Sequence, residues 1–146
     1  MRTKKRNIIF MGMLIGIIIV SGVRLYIREL KVYSGVPDLI SSFSFGEDYS
    51  LTVIANSREI SDKEQFSRKI IKMCQENSFK SIIFSTDYNG YPESLSINVY
   101  LIKEDIGERE PEMKIDFVPE DRNAGYNIRD NAEKYRLYVD GVRIDL

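Results

Sequence analysis

The first pattern along the chain is an apolar run near the N-terminus. No residue between Ile8 and Val23 is charged, and beyond that point only Arg24 interrupts an apolar stretch that reaches Ile27. A helix needs about 20 residues to cross the ~30 Å hydrocarbon core of a bilayer. The stretch 8–27 has that length when the long Arg24 side chain extends to the headgroups. The pattern predicts a single transmembrane helix at residues 8–27, preceded by a basic tail at residues 1–7.

The charged flanks of this run predict its orientation. Four basic residues precede it, namely Arg2, Lys4, Lys5 and Arg6. Because cytoplasmic flanks carry the excess of Lys and Arg, we expect a single-pass protein with a cytoplasmic N-terminus and an extracellular C-terminal domain. A cleaved secretory signal is the alternative, since small residues at 21–22 lie near a cleavage point. The absence of an A-x-A motif and the helical character of residues 24–31 favour a retained signal-anchor.

Beyond the anchor, residues 28–48 are predicted to form a juxtamembrane stalk, in which residues 36–43 make a turn or short helix. Residues 49–146 form the extracytoplasmic domain, which begins with a strand at residues 49–56. The sequence Ser61-Asp62-Lys63-Glu64 matches a capping box with Ser61 as the cap, and predicts a helix start. An apolar stripe of Phe66, Ile70, Met73 and Cys74 follows, and the helix should end near Asn77.

Turn signals place the remaining strands. Asn89-Gly90 predicts a hairpin over residues 81–102, with Phe84 opposite Leu95 and Ile82 opposite Ile97. A strand at residues 112–119 directs Met113, Ile115 and Phe117 inward. Asp140-Gly141 predicts a second hairpin, with the pairs Val139–Val142, Leu137–Ile144 and Tyr135–Leu146 on one face and an Arg136–Asp145 ion pair on the other.

The element order is therefore β-α-β-β-β-β-β. It predicts an α+β fold in which one amphipathic helix packs on an antiparallel sheet of five to six strands, in two layers. This order resembles the cystatin-like arrangement, in which a sheet wraps around one helix. The resemblance concerns the fold alone, because the motifs of the protease-inhibiting cystatins are missing.

Charge and composition narrow the range of partners. Residues 1–31 contain 7 basic and 1 acidic residue, whereas residues 32–146 contain 14 basic and 21 acidic residues. An acidic exported domain argues against a nucleic acid as partner, because phosphate binding requires clustered Lys and Arg. A single cysteine excludes an internal disulfide. Richness in Ile, Lys, Asn and Glu suggests a bacterium with an AT-rich genome.

The chain contains no histidine, which excludes Ser-His-Asp and Cys-His nucleophiles and most zinc sites. We expect Cys74 to be a buried small hydrophobe on the helix stripe. The loops at 87–90 and 121–125 do not have the spacing of calcium loops, and the acidic run from Glu104 to Glu112 is expected to be a solvated loop. Tyr88 and Tyr91 flank the first predicted turn, either as a contact site or as a cross-strand pair. The sequence assigns no catalytic, cofactor-binding or metal-binding residue.

These features favour a non-enzymatic interaction module. We expect a membrane-anchored extracytoplasmic domain, held in the lipid bilayer by residues 8–27, that binds or helps to assemble an envelope protein. A homo-oligomer through the G-x-x-x-G pair Gly12 and Gly16 is a further expectation. The alternatives are a cell-envelope hydrolase that uses two carboxylates, a secreted protein, and a structural subunit of an envelope apparatus.

Overall fold

The computed structural model describes residues 2–84, 86, 90–122 and 124–145, and for residues 2–10, 28, 30 and 31 it describes the backbone alone. The chain divides into two compact units, Met1–Ser34 and Gly35–Leu146. The domain was predicted to start at Tyr49, whereas the second unit begins at Gly35.

The first unit consists of helix α1, which runs without a break from Arg2 to Val32. Its large apolar side chains between Met11 and Ile27 are 46–66% exposed. In the described part of the chain, no helix has both the length and the apolar character that crossing a membrane requires. The prediction of a helix over residues 8–27 is confirmed, whereas the prediction that it spans a membrane gains no support from this finding.

The second unit is an α+β fold, as predicted. Its described residues form a six-stranded sheet in which the spatial order of the strands follows the chain. The strands are β1 (Asp38–Phe45), β2 (Asp48–Ile54), β3 (Ser94–Tyr100), β4 (Met113–Pro119), β5 (Tyr135–Val139) and β6 (Val142–Ile144). Neighbouring strands are antiparallel except β2 and β3, which are parallel. Helix α2 (Lys63–Glu76) lies in the connection between these two parallel strands.

Helix α2 confirms the predicted helix and corrects its cap. The carboxylate of Asp62, rather than the Ser61 hydroxyl, accepts a hydrogen bond of 2.8 Å from the backbone N–H of Gln65. The physical reason is that the first helical residue is Lys63, so Asp62 occupies the flanking N-cap position. At the other end, Asn77 adopts the left-handed conformation, with φ of 50°.

The core lies between α2 and one face of the sheet. Strand β4 shows the alternation most clearly, because Met113, Ile115 and Phe117 are buried as predicted. Helix α2 contributes Ile70, Ile71 and Cys74 to the same cluster. The remaining large members of the cluster are Leu39, Leu51, Val53, Phe79, Phe84, Leu95, Ile97, Val99, Ile128, Tyr135, Leu137 and Val139.

The predicted hairpin over residues 81–102 is wrong. Strand β3 has neighbours on both sides, since Leu95 lies opposite Tyr49 of β2 and opposite Phe117 of β4. No edge of β3 is left for residues 81–84, and the described residues of that segment form no strand. Tyr88 and Asn89 of the predicted turn, and most of the predicted loop at 87–90, lie outside the described residues.

Strand β1 replaces the turn or short helix that was predicted for residues 36–43. It pairs with β2 from Asp38 to Phe45, through a two-residue loop at Gly46 and Glu47. The observed order is therefore β-β-α-β-β-β-β. The cystatin-like comparison depended on the predicted order and loses that basis.

The C-terminal hairpin is confirmed, with Val142 opposite Val139 and Ile144 opposite Leu137. The predicted Arg136–Asp145 ion pair is replaced, because the Arg136 guanidinium lies 2.8 Å from the carboxylate of Glu120. That partner becomes available only when β4 packs beside β5, so the pairing depends on the sheet rather than on the hairpin. Leu146, the predicted partner of Tyr135, lies outside the described residues.

Candidate interaction surface

The two edges of the sheet differ in length and in charge. Strand β6 forms one edge with only three residues, of which the central one is Arg143. Strand β1 forms the other edge with eight residues, and no residue from Leu39 to Gly46 is charged. Proteins usually protect a sheet edge with short strands, charge or proline. By these criteria β6 is protected. Strand β1 has a bulge at Ile40, which is another protective feature, but neither charge nor proline from Ser41 to Phe45.

A bulge at Ile40 decides which way the β1 side chains face. Leu39 before the bulge is fully buried, opposite Val53. The register then shifts by one residue, so that Ser42 lies opposite the buried Leu51 and Phe43 lies opposite the exposed Ser50. Because residues directly opposite each other share a face, Phe43 is on the face that points away from the core.

Phe45 is on the same outer face, opposite Asp48. The exposed fraction is 68% for Phe43 and 82% for Phe45. Phe43 and Phe45 are therefore two neighbouring, exposed phenyl rings on a strand with one unpaired edge. Together they form an apolar surface that the described residues of the second unit leave uncovered. We name residues 41–45 the open edge.

Three acidic residues meet beside the loop that joins β1 to β2. The backbone N–H of Glu93 donates to the carbonyl of Glu47 over 2.8 Å, and the Ser94 hydroxyl donates to the carboxylate of Asp48. Arg122 Nη1 lies 3.9 Å from Asp48 Oδ2. A carboxylate-dependent hydrolase would need two such acids that face each other across a groove.

The environment of Glu93 is unfavourable for its charged form. Its Oε1 atom is buried and has no hydrogen-bond partner. Burial first, and then the negative charges of Glu47 and Asp48, raise the pKa of Glu93 above its ordinary value, against the opposing effect of Arg122. Within the described residues, no group of three acidic, cysteine or histidine side chains is arranged to hold a metal ion.

A groove of about 570 Å³ lies between α2 and strands β4 to β6. Its floor is apolar, with Ile71, Phe117 and Ile144, and its rim is charged. Arg68 on the rim lies 2.7 Å from Glu64 Oε1 and also donates to the carbonyl of Asp145. Three arginines and three acids (Arg68, Arg136, Arg143, Glu120, Glu133 and Asp145) balance one another around this groove, so it has no net charge to select a ligand.

A second groove, of about 430 Å³, lies at the N-terminal end of α2 and is lined by Ile60, Phe66 and Lys69 among others. Glu47, Asp48 and Glu93 line neither groove. The acidic residues that cluster are therefore separate from both grooves, where a substrate could be enclosed.

The residues that the sequence singled out as candidate sites line neither groove where they are described. Cys74 is a free, fully buried thiol, and burial raises its pKa far above the ordinary value, which makes it a poor nucleophile. Tyr91 is half-buried; its ring lies edge-on to Phe84 at 6.4 Å, and its hydroxyl accepts a hydrogen bond from Arg129. The acidic side chains of the run that begins at Glu104 are exposed, apart from the half-buried Asp105.

Sequence reasoning missed Phe43 and Phe45. The alternation Ser42-Phe43-Ser44-Phe45 followed by Gly46 was the available signal, because a hairpin loop of the II′ type favours glycine at its first central position. Gly46 indeed has a φ of +63°. An open edge of this kind is not a motif of any one family, since every open sheet ends in two edges. Comparisons of the chain with protein-family models, curated proteins and solved structures found no match.

Proposed function

We propose that this protein is a membrane-anchored interaction module. Helix α1 holds it in the cell membrane with the N-terminus in the cytoplasm, and the acidic α+β unit is displayed outside, where it binds an envelope protein. The observation that carries the proposal is the open edge. This strand edge is uncharged, no described strand pairs with it, and Phe43 and Phe45 are exposed beside it.

The open edge offers both parts of a known recognition mode. An extended segment of a partner can add to the sheet through main-chain hydrogen bonds, while side chains on alternate positions give specificity. Phenylalanine is enriched at protein interfaces and contributes large apolar contacts there. Phe43 and Phe45 are two residues apart on one face, so both rings can contact the same partner strand.

The anchor is supported by the composition of α1. The uncharged run from Ile8 to Val23 lies inside a continuous helix of 31 residues, about 46 Å long. The run has no polar face, unlike the amphipathic helices that pack on a soluble domain or lie flat on a membrane surface. Ile8, Ile9 and Phe10 belong to this run by sequence, although their side chains are outside the described part of the chain.

A topology experiment tests the location. Cells express the full chain with a C-terminal tag, and protease is added to intact protoplasts before the membranes are collected. We expect a full-length membrane protein whose tag is digested from outside. A tag that resists protease until the cells are lysed, or a shorter chain free in the medium, would overturn the proposed anchor.

A photocrosslinking experiment tests the binding surface. A benzoylphenylalanine replaces Phe43 in one variant and Val142 in the other; Val142 is a matched control, since it is 64% exposed and lies on the opposite edge strand. On irradiation of intact cells, we expect a discrete protein adduct from position 43 and at least tenfold less from position 142. Equal labelling at both positions, or no protein adduct at 43, would refute the open edge as a binding site.

A further inference from the structure

We infer that the occupant of the open edge is a second copy of this chain. The two β1 strands would pair antiparallel about a two-fold axis next to Ser44 and join two six-stranded sheets into one of twelve strands. This inference rests on the proposed function and specifies its partner.

Charge does not oppose a second copy at the open edge. The unit carries 14 basic and 21 acidic residues, so two copies repel each other wherever their charged surfaces meet. The stretch from Leu39 to Gly46 is uncharged and lets two copies approach without that penalty.

The register that this axis produces is self-complementary. It places Phe43 opposite Phe45 of the second copy, twice, so four phenyl rings form two cross-strand pairs on the outer face. Within β1 this register pairs Phe43, Ser44 and Phe45 of each copy, because the strand ends at Phe45 and residues 46–47 turn toward β2. The strand is regular there, because its pairing with β2 has no shift between Ser41 and Phe45.

The opposite edge does not offer the same contact. Antiparallel pairing of two β6 strands about their centre would place Arg143 opposite Arg143, which is destabilising for directly opposed like charges. Self-association therefore extends the sheet at β1 and stops there, which gives a closed dimer rather than a fibre.

Helix α1 has a second feature that is compatible with a dimer. Gly12 and Gly16 are spaced as G-x-x-x-G, and a Cβ added at either position would meet no atom within 4 Å. Only residues 33–37 connect α1 to β1, a length of at most about 18 Å. Two α1 helices in contact would hold two β1 strands within reach and raise their effective concentration to the millimolar range.

Disulfide trapping in the full chain tests the register. Ser44→Cys and Ser42→Cys are matched variants, because both serines are exposed and lie on the same face of β1. In the proposed pairing the two copies of position 44 face each other, within the 4.4–6.8 Å Cα separation that a disulfide requires. The two copies of position 42 are offset by four residues, about 13 Å.

Membranes that contain each variant are treated with copper phenanthroline and analysed without reductant. We expect Ser44→Cys to give a covalent dimer of twice the chain mass and Ser42→Cys to give at least tenfold less. The parent chain, with only the buried Cys74, is the background control. Adding Phe43→Ser and Phe45→Ser to Ser44→Cys should reduce the dimer at least tenfold, whereas adding Val142→Ser should not.

Equal dimer from positions 42 and 44, or more from 42, would overturn the inferred register. No dimer from position 44 would overturn the second copy as occupant. The benzoylphenylalanine adduct at position 43 then separates the two proposals. An adduct of twice the chain mass supports both, an adduct to a different protein overturns the second copy and keeps the proposed function, and the absence of any adduct overturns both.

Discussion

The Asn77 side chain connects the end of α2 to the following loop through hydrogen bonds. Substitutions of Asn77 can separate two contributions to stability, namely these hydrogen bonds and the cost of the left-handed backbone. Its side-chain Nδ2 donates to the carbonyl of Phe84 over 2.9 Å, and its Oδ1 accepts from the N–H of Phe84 over 3.2 Å. Its backbone is left-handed, with φ of 50°. Phe84 is buried and lies edge-on to Tyr49 at 5.8 Å, so this pair of bonds positions a core side chain.

Two substitutions remove the same hydrogen bonds and differ in the backbone. Asn77→Gly loses both bonds, each worth about 0.5–1.5 kcal/mol, but accepts a positive φ without strain. Asn77→Ala loses the same bonds and adds about 1–2 kcal/mol, because Cβ disfavours the left-handed conformation. We expect the free energy of unfolding to fall by about 2 kcal/mol for Asn77→Gly and by about 3 kcal/mol for Asn77→Ala.

The assay is urea unfolding of the unit from residue 35 to the C-terminus, followed by circular dichroism at 222 nm, with unchanged m-values required. A loss below about 0.5 kcal/mol for Asn77→Gly would show that the two bonds contribute little to stability. Equal losses for the two variants would refute the cost assigned to the left-handed backbone.

Two further predictions concern charged groups. Asp140 accepts from the Lys114 N–H over 2.8 Å and lies 2.8 Å from Lys63 Nζ, at a φ of 49°. In the same unfolding assay, Asp140→Ala should cost about 2 kcal/mol and Asp140→Asn, which keeps one acceptor and tolerates this φ, about half as much; equal losses would contradict this. Burial alone would raise the pKa of Asp140, but hydrogen bonds from Lys63 and Lys114 lower it below its ordinary value. The stabilisation by the Asp140 carboxylate is therefore present at neutral pH and is lost as the pH falls below 3.8. Glu93 has the opposite effect on the pH dependence of stability, because its pKa is raised in the folded state. The free energy of unfolding therefore decreases as the pH rises above 4.5. Glu93→Gln should therefore be more stable than the parent at pH 7 and equal to it near pH 4, and a pH-independent difference would refute this.

The sequence by itself determined the elements whose signals are local. Helix α2 follows from an apolar stripe with a polar cap. Ile70 and Cys74 of that stripe are buried, together with Ser67 and Ile71, whereas Phe66 and Met73 are half-buried. The C-terminal hairpin follows from Asp140-Gly141, because few residue pairs accept positive φ at both positions, and the observed values are 49° and 80°. The inward side chains of β4 follow from strict alternation.

Only the tertiary structure decided which strands are neighbours. Strand β3 pairs with β2 across a connection of 39 residues that contains α2, and this parallel pairing occupies the edge that the predicted hairpin needed. Sequence reasoning missed the pairing of β2 with β3 because the two strands are far apart in the chain, not because of their residue types. The same holds for Glu47 and Glu93, which are 46 residues apart and adjacent in space.

The open edge depends on both the local sequence and the tertiary structure. The phenylalanines at 43 and 45 are visible in the sequence, but their outward direction depends on the bulge at Ile40, which reverses the faces of all later β1 side chains. Whether a strand lies at an edge depends on every other strand that could have paired with it. That is a property of the whole sheet, because each strand has two sides for hydrogen bonding and only the complete order shows which side remains unpaired.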